Sequence, residues 1–439
     1  MQADKTTLGD LSLFTHDEEH SVFHHLNFTR TIGGKQWLHY FLINPFDNIH
    51  KITETQKVLQ RMLEVHAHWS NTLISNGTIM VMEKFYETSI QEIPSHPSFI
   101  SSLFYRAFNA SDYSLVRYSL KHFVDFVIGL DEIVRLLSSD KNPSLLQAPL
   151  DRIKMLLNRP ALQTMLAMGK GKDLSMKEVL VSGYFIRRHF KPEALELIDI
   201  YGKLDAYYSL ATACKQFNFT FPTFINSVQP VISAKQLYHP LIPLPVAYDI
   251  NLSPEKNFLF LTGANMGGKS TFIKATGVAI YMAHIGMGVP AAQMQLSLFD
   301  GLLSNINVVD NIIQGESYFY NEVQRIRKTI EKISDGKKWL ILIDELFKGT
   351  NVQDAMKCST VVIEGLRKMS NALFILSTHL YEIGESLKQY PNIQFRYFET
   401  EVKGDDLIFS YQLKEGISND RLGYLILKRE KVVELLEKL

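Results

Sequence analysis

The stretch LTGANMGGKSTFIKATG at residues 261–277 decides how the chain is interpreted. Its residues Gly263 to Ser270 fit the pattern G-x-x-x-x-G-K-[ST], with an apolar run before them and a helical stretch after them. Glycines let backbone N–H groups converge on phosphate oxygens, and the N-terminus of the following helix adds partial positive charge. The alternative is a glycine-rich turn that matches by chance, and the order of strand, loop and helix argues against it. The stretch therefore predicts a loop that binds nucleotide phosphates.

Each side chain of this loop has an expected role. The ammonium of Lys269 would reach the β- and γ-phosphates of ATP, and the hydroxyl of Ser270 would ligate Mg²⁺. ATP and Mg²⁺ are therefore the predicted cofactors. The predicted ATP-binding residues are Gly263, Ala264, Asn265, Met266, Gly267, Gly268, Lys269, Ser270 and Thr271.

Hydrolysis needs more than a phosphate loop, and two later strands supply candidates. The run WLILIDE at 339–345 predicts a buried strand that ends in Asp344 and Glu345. Asp344 is predicted to hold Mg²⁺, and Glu345 to act as the general base for the attacking water. A helix cap beside a surface acid is the alternative for this pair. The next run, NALFILSTH at 371–379, ends in His379, which we expect to sense the γ-phosphate.

Composition limits the class of protein. The 439 residues include 46 basic and 46 acidic ones, so the net charge of zero argues against a strongly basic nucleic-acid scaffold. Cys214 and Cys358 are interpreted as free buried thiols in a reducing compartment. No signal peptide is visible, and no run reaches the roughly 18 apolar residues of a membrane span. We therefore expect a cytoplasmic protein that does not enter a membrane.

The chain changes character near Phe221. Before this point helical patterns dominate, and their apolar seams predict long helices that pair with one another. After it, short apolar runs alternate with helical stretches, which is typical of parallel strands covered on both faces. The seams comprise Tyr113, Val116, Leu120, Phe123, Val127, Leu130, Val134 and Leu137; Ala194, Leu197, Tyr201, Leu204, Tyr208, Ala211 and Cys214; and, more weakly, Ile52, Leu59, Met62 and Leu63.

Several segments resemble the ATPase domain of the MutS family, which belongs to the ABC-type nucleotide-binding superfamily. They are TGANMGGKST at 262–271, GMGVPA at 286–291, LILIDELFKGTNVQDA at 340–355 and LFILSTHLYEIG at 373–384. The segment QLYHPLI at 236–242 resembles the start of that domain. Residues 26–46 are similar to the start of the family's helical core, and residues 198–222 to its last lever helix.

The resemblance implies a fold of class α plus α/β. An N-terminal all-helical core and lever domain would span residues 1–222. An ABC-type P-loop ATPase domain with a mostly parallel sheet would span residues 223–439. In the segment at 311–326, Gly315 and Ser317 match the family's signature, which completes the ATP site of the opposite subunit, so a homodimer is expected. Ser317 as a simple helix cap is the alternative.

The chain also departs from the family pattern. Ala264 replaces the usual proline of the loop, and His284 stands where members often carry glutamine, which leaves its role near Mg²⁺ open. No counterpart of the mismatch-recognition domain, full DNA clamp or dimerisation tail is found. Candidates for contact with adenine are Tyr238, His239 and Tyr248, from their position near the start of the domain.

Three functions remain after this comparison. The resemblance favours a MutS-like ATPase that acts on mismatched, branched or otherwise non-B DNA in repair or recombination, with a repair-protein partner as a further expectation. Without a wedge residue, recognition of DNA shape is favoured over mismatch reading. The alternative is an ATP-switched dimer that binds a protein partner and has little direct DNA affinity, which the zero net charge fits. A small-molecule P-loop kinase is the third, and no acceptor site supports it.

Overall fold

The computed structural model of the chain groups its residues into two compact units. It describes residues 1–15, 17–69, 74–169, 174–306, 318–403, 406–418 and 431–436. The helical unit consists of Leu26–Ile43 and Thr53–Gln216. The sheet unit consists of Met1–His25, Asn44–Ile52 and Phe217–Leu439.

Most of the described helices come before the first strand, and the others alternate with strands or follow them. In chain order the described helices are α1 Lys5–Asp10, α2 Val22–His25, α3 Ile32–Ile43, α4 Ile49–Glu64, α5 His66–Trp69, α6 Asn76–Glu87, α7 Phe99–Phe108, α8 Ala110–Leu137, α9 Ser144–Leu157, α10 Pro160–Met168, α11 Met176–His189, α12 Lys191–Gln216, α13 Lys269–Ile285, α14 Tyr318–Ile333, α15 Val352–Leu366, α16 Glu382–Leu387 and α17 Val432–Leu436. The described strands are β1 Thr223–Ile225, β2 Ile232–Leu237, β3 Tyr248–Leu252, β4 Phe258–Gly263, β5 Gln293–Ser297, β6 Gly301–Asn305, β7 Trp339–Asp344, β8 Ala372–Ser377, β9 Ile393–Lys403 and β10 Asp406–Glu415.

The helical unit is built on the long helices α8 and α12. The two longer apolar seams of the sequence lie on these helices, and every residue of both seams is buried. Helix α3 packs closely on α12, because a Cβ at Gly202 would lie 3.0 Å from the backbone carbonyl carbon of Gly33. The buried carboxylate of Asp205 on α12 accepts hydrogen bonds from the N–H groups of Arg30 and Thr31, just before α3 begins. The close approach of the backbones and these hydrogen bonds therefore both hold α3 against α12.

The main sheet of the sheet unit has six strands in the order β10-β9-β4-β8-β7-β6. Strands β9, β4, β8, β7 and β6 pair in parallel, and β10 pairs antiparallel with β9 at the edge. Every residue of β7 and β8 is buried, as expected for parallel strands with both faces covered. The mostly parallel sheet predicted from the three apolar runs is present.

A second sheet was not predicted from the sequence. It has four strands in the order β1-β5-β2-β3, and only the β1–β5 pair is parallel. Strand β3 alternates buried and exposed residues, which is typical of a strand with one face on the core. The prolines around β1 and β2 obscure this pattern in the sequence.

The N-terminal residues differ from their predicted assignment. The sequence placed all of residues 1–222 in the helical domain, whereas Met1–His25 group with the sheet unit. The reason is a polar anchor on strand β6, where the carboxylate of Asp10 accepts hydrogen bonds from the hydroxyl of Ser304 at 2.6 Å and the N–H of Ile306 at 3.0 Å. The chain enters the sheet unit again over Asn44–Ile52 and then from Phe217 onward. The domain boundary at 222 stays a prediction.

Two smaller expectations concern thiols and membranes. Cys214 is buried and Cys358 is half-buried. Within the described ranges, no helix combines the length and apolar character that crossing a bilayer requires.

Candidate active site

The loop between β4 and α13 has a conformation that requires glycine. Gly263 and Gly268 have φ angles of +133° and +108°, which residues other than glycine rarely adopt. A Cβ at Gly263 would also lie 3.0 Å from the carbonyl oxygen of Phe398 on β9. Met266, with φ of +67°, turns the middle of the loop. The glycine spacing in the sequence therefore reflects a tight turn that leads directly into a helix N-terminus.

The ammonium of Lys269 lies inside this loop. It donates hydrogen bonds to the carbonyl oxygens of Gly263 at 2.8 Å and Ala264 at 3.0 Å. Only 5% of Lys269 is exposed, and burial lowers the pKa of its ammonium against the raising effect of Glu345 and Asp344. The loop thus holds a buried positive charge against its own backbone.

Asp344 at the end of β7 connects the loop to the neighbouring strand. One carboxylate oxygen accepts a hydrogen bond from the hydroxyl of Ser270 at 2.5 Å, and the other accepts one from the hydroxyl of Ser377. Asp344 and Ser377 are register partners in the parallel pair β7–β8. The predicted metal residues Ser270 and Asp344 are therefore in direct contact.

Glu345 lies just beyond the strand, in an unusual backbone conformation with φ of +66°. Its carboxylate is 2.5 Å from Nε2 of His379 and 3.0 Å from Nζ of Lys348. Burial by itself raises the pKa of Glu345, but the hydrogen bond and charge of His379 and the charge of Lys348 outweigh it and lower the pKa to about 2. The carboxylate is therefore ionised, and in this arrangement it is a weak base.

A cavity of about 450 Å³ opens beside these groups. The phosphate loop and Glu345 form its polar side, and Tyr248 is the one adenine candidate among its lining residues. Tyr238 donates its hydroxyl to the carbonyl of Phe217 instead, and His239 is buried. The apolar wall consists of residues that the sequence analysis did not select: Ile242, Leu244, Val246 and Tyr411.

A further missed residue, Glu322 on α14, anchors the backbone that follows Glu345. Its carboxylate oxygens accept hydrogen bonds from the N–H groups of Lys348 at 3.1 Å and Gly349 at 3.2 Å. Glu322 is 5% exposed, and burial raises its pKa against the lowering effect of these bonds. A lone glutamate in a helix gives no sequence signal for this contact.

His284 has a structural role. The side chain is fully buried on α13, Nε2 accepts a hydrogen bond from the N–H of Phe299 at 3.0 Å, and Nδ1 lies 2.8 Å from the carbonyl of Ile280. Burial lowers the pKa of His284 to about 4, so the ring is neutral. It is not one of the residues that line the cavity.

The remaining predicted residues fall into two groups. Asn265, Met266, Gly268 and Thr271 line the cavity, while Ala264 and Gly267 belong to the same turn. Gly315 and Ser317 lie outside the described residues, so their predicted role in a partner's site stays a prediction.

Comparison with known proteins agrees with this geometry. Residues 259–434 match the sequence profile of MutS domain V. The DNA mismatch repair protein MSH3 of Saccharomyces cerevisiae (strain YJM789) is 35% identical over 234 residues, which are 51% of this chain and 23% of that protein. The chain thus covers less than a quarter of that relative's length. The phosphate loop, Asp344 and Glu345 lie at the carboxyl ends of parallel strands and within the matched residues, whereas the cavity lining from Ile242 to Tyr248 precedes the match. These two matches show that part of the chain is similar to the MutS family.

Proposed function

We propose that the chain binds ATP in the cavity of the sheet unit and hydrolyses it to ADP and phosphate. The observation that carries this proposal is the convergence of Lys269, Ser270, Asp344, Glu345 and His379 at the ends of strands β4, β7 and β8. These strands are far apart in sequence. A glycine-rich turn or a surface acid pair would not need this arrangement.

The residues present fit a magnesium ion. Mg²⁺ prefers oxygen donors, and one or two protein ligands usually complete a shell of water and phosphate oxygens. The hydroxyl of Ser270 and the carboxylate of Asp344 are such donors and already lie 2.5 Å apart. When bound, the ion would offset negative charge on the phosphates. Lys269, at the base of the loop, would add a second positive charge to the same phosphates.

Glu345 and His379 are the proposed catalytic pair. Glu345 would orient a water and accept its proton, and His379 would hold the carboxylate and contact the γ-phosphate. Because the pKa of Glu345 is about 2 while His379 and Lys348 hold it, we infer that at least one of these contacts is exchanged when ATP binds. Once that contact is released, the pKa of Glu345 rises and its carboxylate can accept a proton from the attacking water.

The apolar wall supplies a place for the nucleobase. Tyr248 and Tyr411 are the aromatic residues of the lining, the first 6% and the second 40% exposed, and Leu244 is 92% exposed at the rim of the cavity. Aromatic and aliphatic surfaces beside a phosphate site suit a planar base. We propose that adenine binds against this wall, with its phosphates toward the loop.

Similarity to the MutS family, and the name of the relative, support a role on DNA. We propose DNA repair or recombination, with mismatched, branched or otherwise non-B DNA as the ligand. The same proposal includes a homodimer, in which Gly315 and Ser317 complete the ATP site of the opposite subunit. It also includes a repair-protein partner. The zero net charge favours the second candidate, an ATP-switched dimer that binds a protein and has little DNA affinity. A cytoplasmic location stays a prediction.

DNA binding by the Glu345→Gln protein, with and without ATP and across a salt series, tests the choice. Homoduplex, single-mismatch and four-way-junction DNA would be compared. Structure-selective, ATP-dependent binding that weakens steeply with salt supports a DNA ligand, because phosphate contacts release counterions. If a protein that still binds ATP binds none of the three DNAs, the result favours the ATP-switched dimer that binds a protein partner.

A further inference from the structure

Helix α7 of the helical unit exposes large apolar side chains to solvent. Its exposed apolar surface, here called the α7 face, consists of Phe99, Ile100, Leu103, Phe104, Ala107 and Phe108. The five large side chains are 71%, 66%, 50%, 58% and 78% exposed in chain order. A surface helix normally turns charged and polar residues to water. This helix does the reverse.

The inner side of α7 is fixed, so the face is held on an ordered element. Ser102 and Tyr105 are buried, and the hydroxyl of Tyr105 donates to the carbonyl of Gln91 at 3.1 Å. Ser98 caps the helix by accepting a hydrogen bond from the N–H of Ser101 at 3.1 Å. The apolar side chains therefore cannot turn inward without breaking these contacts.

The α7 face has the relief of a helix–helix contact. Residues four apart form two neighbouring ridges, one through Phe99, Leu103 and Ala107 and the other through Ile100, Phe104 and Phe108. Phe104 and Phe108 stack within the second ridge, with ring centroids 5.9 Å apart. The shallow groove between the ridges matches a ridge of the same shape.

The area of the face is large for a surface without a partner. Taking about 200 Å² for each fully exposed large apolar side chain, the face offers roughly 650 Å². The largest apolar patch on a typical monomer is about 300–600 Å², and each partner of a stable dimer buries about 800 Å². A symmetric contact centred on this face would therefore reach a standard interface with a modest rim.

The α7 face is almost uncharged, which bears on the kind of partner that it fits. Arg106 is the single charged residue of α7, and its guanidinium lies 5.7 Å from the ring centre of Tyr113, at the edge of the face. The face thus offers nothing that would select an acidic or a basic partner. It meets no like charge when it faces itself.

We propose that the α7 face pairs with the α7 face of a second copy of the chain. A two-fold axis near Leu103 and Phe104 places each ridge in the groove of the other helix, at the crossing angle of about 50° that such ridges favour. The contact is independent of the nucleotide site. It provides a second place where two copies can join, in the helical unit.

Sedimentation of the full chain without nucleotide tests this contact, since any association driven by ATP is then absent. Phe104→Glu is expected to weaken self-association on the order of a hundredfold, because both copies lose an apolar contact and gain a buried charge. Met155→Glu is the matched control, because Met155 is 54% exposed on α9 and lies outside the face. It should associate like the wild type. Circular dichroism checks that both variants keep their helices.

Cross-linking tests the geometry. Phe104→Cys should give covalent dimers with a short bismaleimide, and Met155→Cys should give few, in a background that carries Cys358→Ala. Association that is unchanged by Phe104→Glu would overturn the proposal, as would a wild-type chain that stays monomeric at every soluble concentration. Binding to phosphatidylcholine vesicles that Phe104→Glu abolishes, in a chain that does not self-associate, would also overturn it and assign the face to lipid.

Discussion

Replacing Glu322 by alanine should slow ATP hydrolysis and leave ATP binding intact. The two N–H groups of Lys348 and Gly349 would lose a buried carboxylate acceptor at 3.1 and 3.2 Å. Hydrogen bonds to a charged group are worth about 1.5–3 kcal/mol each, and the burial that raises the pKa of Glu322 offsets part of this. The net loss of anchoring for the backbone after Glu345 is then about 2–4 kcal/mol.

That loss can be converted to a rate. Each 1.4 kcal/mol is about tenfold in a population. Packing of Phe347 on Phe319, with ring centroids 5.7 Å apart, still restrains the loop, so we expect a fall of about 10- to 100-fold in kcat. ATP affinity should change by less than about threefold, which is under 1 kcal/mol, because Glu322 does not line the cavity.

The assay is steady-state hydrolysis together with calorimetric binding of a non-hydrolysable ATP analogue. Glu331→Ala is the control, since Glu331 lies on the same helix but is exposed and pairs with Arg327. Glu322→Gln, which keeps an acceptor oxygen, should recover part of the rate. Hydrolysis at the wild-type rate by Glu322→Ala, or a fall in ATP affinity as large as the fall in kcat, would show that Glu322 does not act through the backbone after Glu345.

Three further changes test separate parts of the structure. Glu345→Gln should bind ATP but hydrolyse it about 10²- to 10⁴-fold more slowly, the usual contribution of a general base, and wild-type turnover would exclude that role. His284 has a pKa of about 4, below its ordinary value, so its stabilising effect is complete above about pH 6.5 and is lost as the pH falls toward 4. Thermal unfolding of His284→Gln should therefore depend less on pH in this window than that of the wild type, and parallel curves would contradict this. A Cβ at Gly301 would lie 1.9 Å from the ring of Trp339, so Gly301→Ala should cost at least about 2 kcal/mol in the free energy of unfolding. Gly365→Ala, in an open part of α15, should be neutral or stabilise by up to about 1 kcal/mol, and equal effects of the two changes would refute the packing argument.

Local patterns in the sequence were sufficient for the centre of the site. The strand, loop and helix around Lys269 follow from an apolar run, glycine spacing and the start of a helical period. Asp344 and Glu345 follow from a second apolar run that ends in acids. In each case the residues that define the feature are neighbours in the chain, so the pattern and the structure have the same cause.

Contacts between distant segments were not predictable in this way. Glu322 contacts a loop 26 residues later in the chain. Asp10 accepts a hydrogen bond from the N–H of Ile306, which is 296 residues away in sequence. Neither residue stands out in its own segment. The apolar wall at Ile242 and Tyr411 is likewise assembled only when the strands pair. The sequence also gives α7 an apolar pattern without telling which side of the helix meets solvent.

We propose that the loop and the strand ends form one site for ATP and Mg²⁺. Calorimetric titration of ATP into the full chain, with and without Mg²⁺, tests this site in the wild type, Lys269→Ala and Ser270→Ala. We expect one site per chain, binding that Mg²⁺ strengthens, loss of binding in Lys269→Ala, and loss of the Mg²⁺ effect in Ser270→Ala. Equal ATP affinity in the wild type and Lys269→Ala, or the same Mg²⁺ effect in Ser270→Ala, would contradict this proposal.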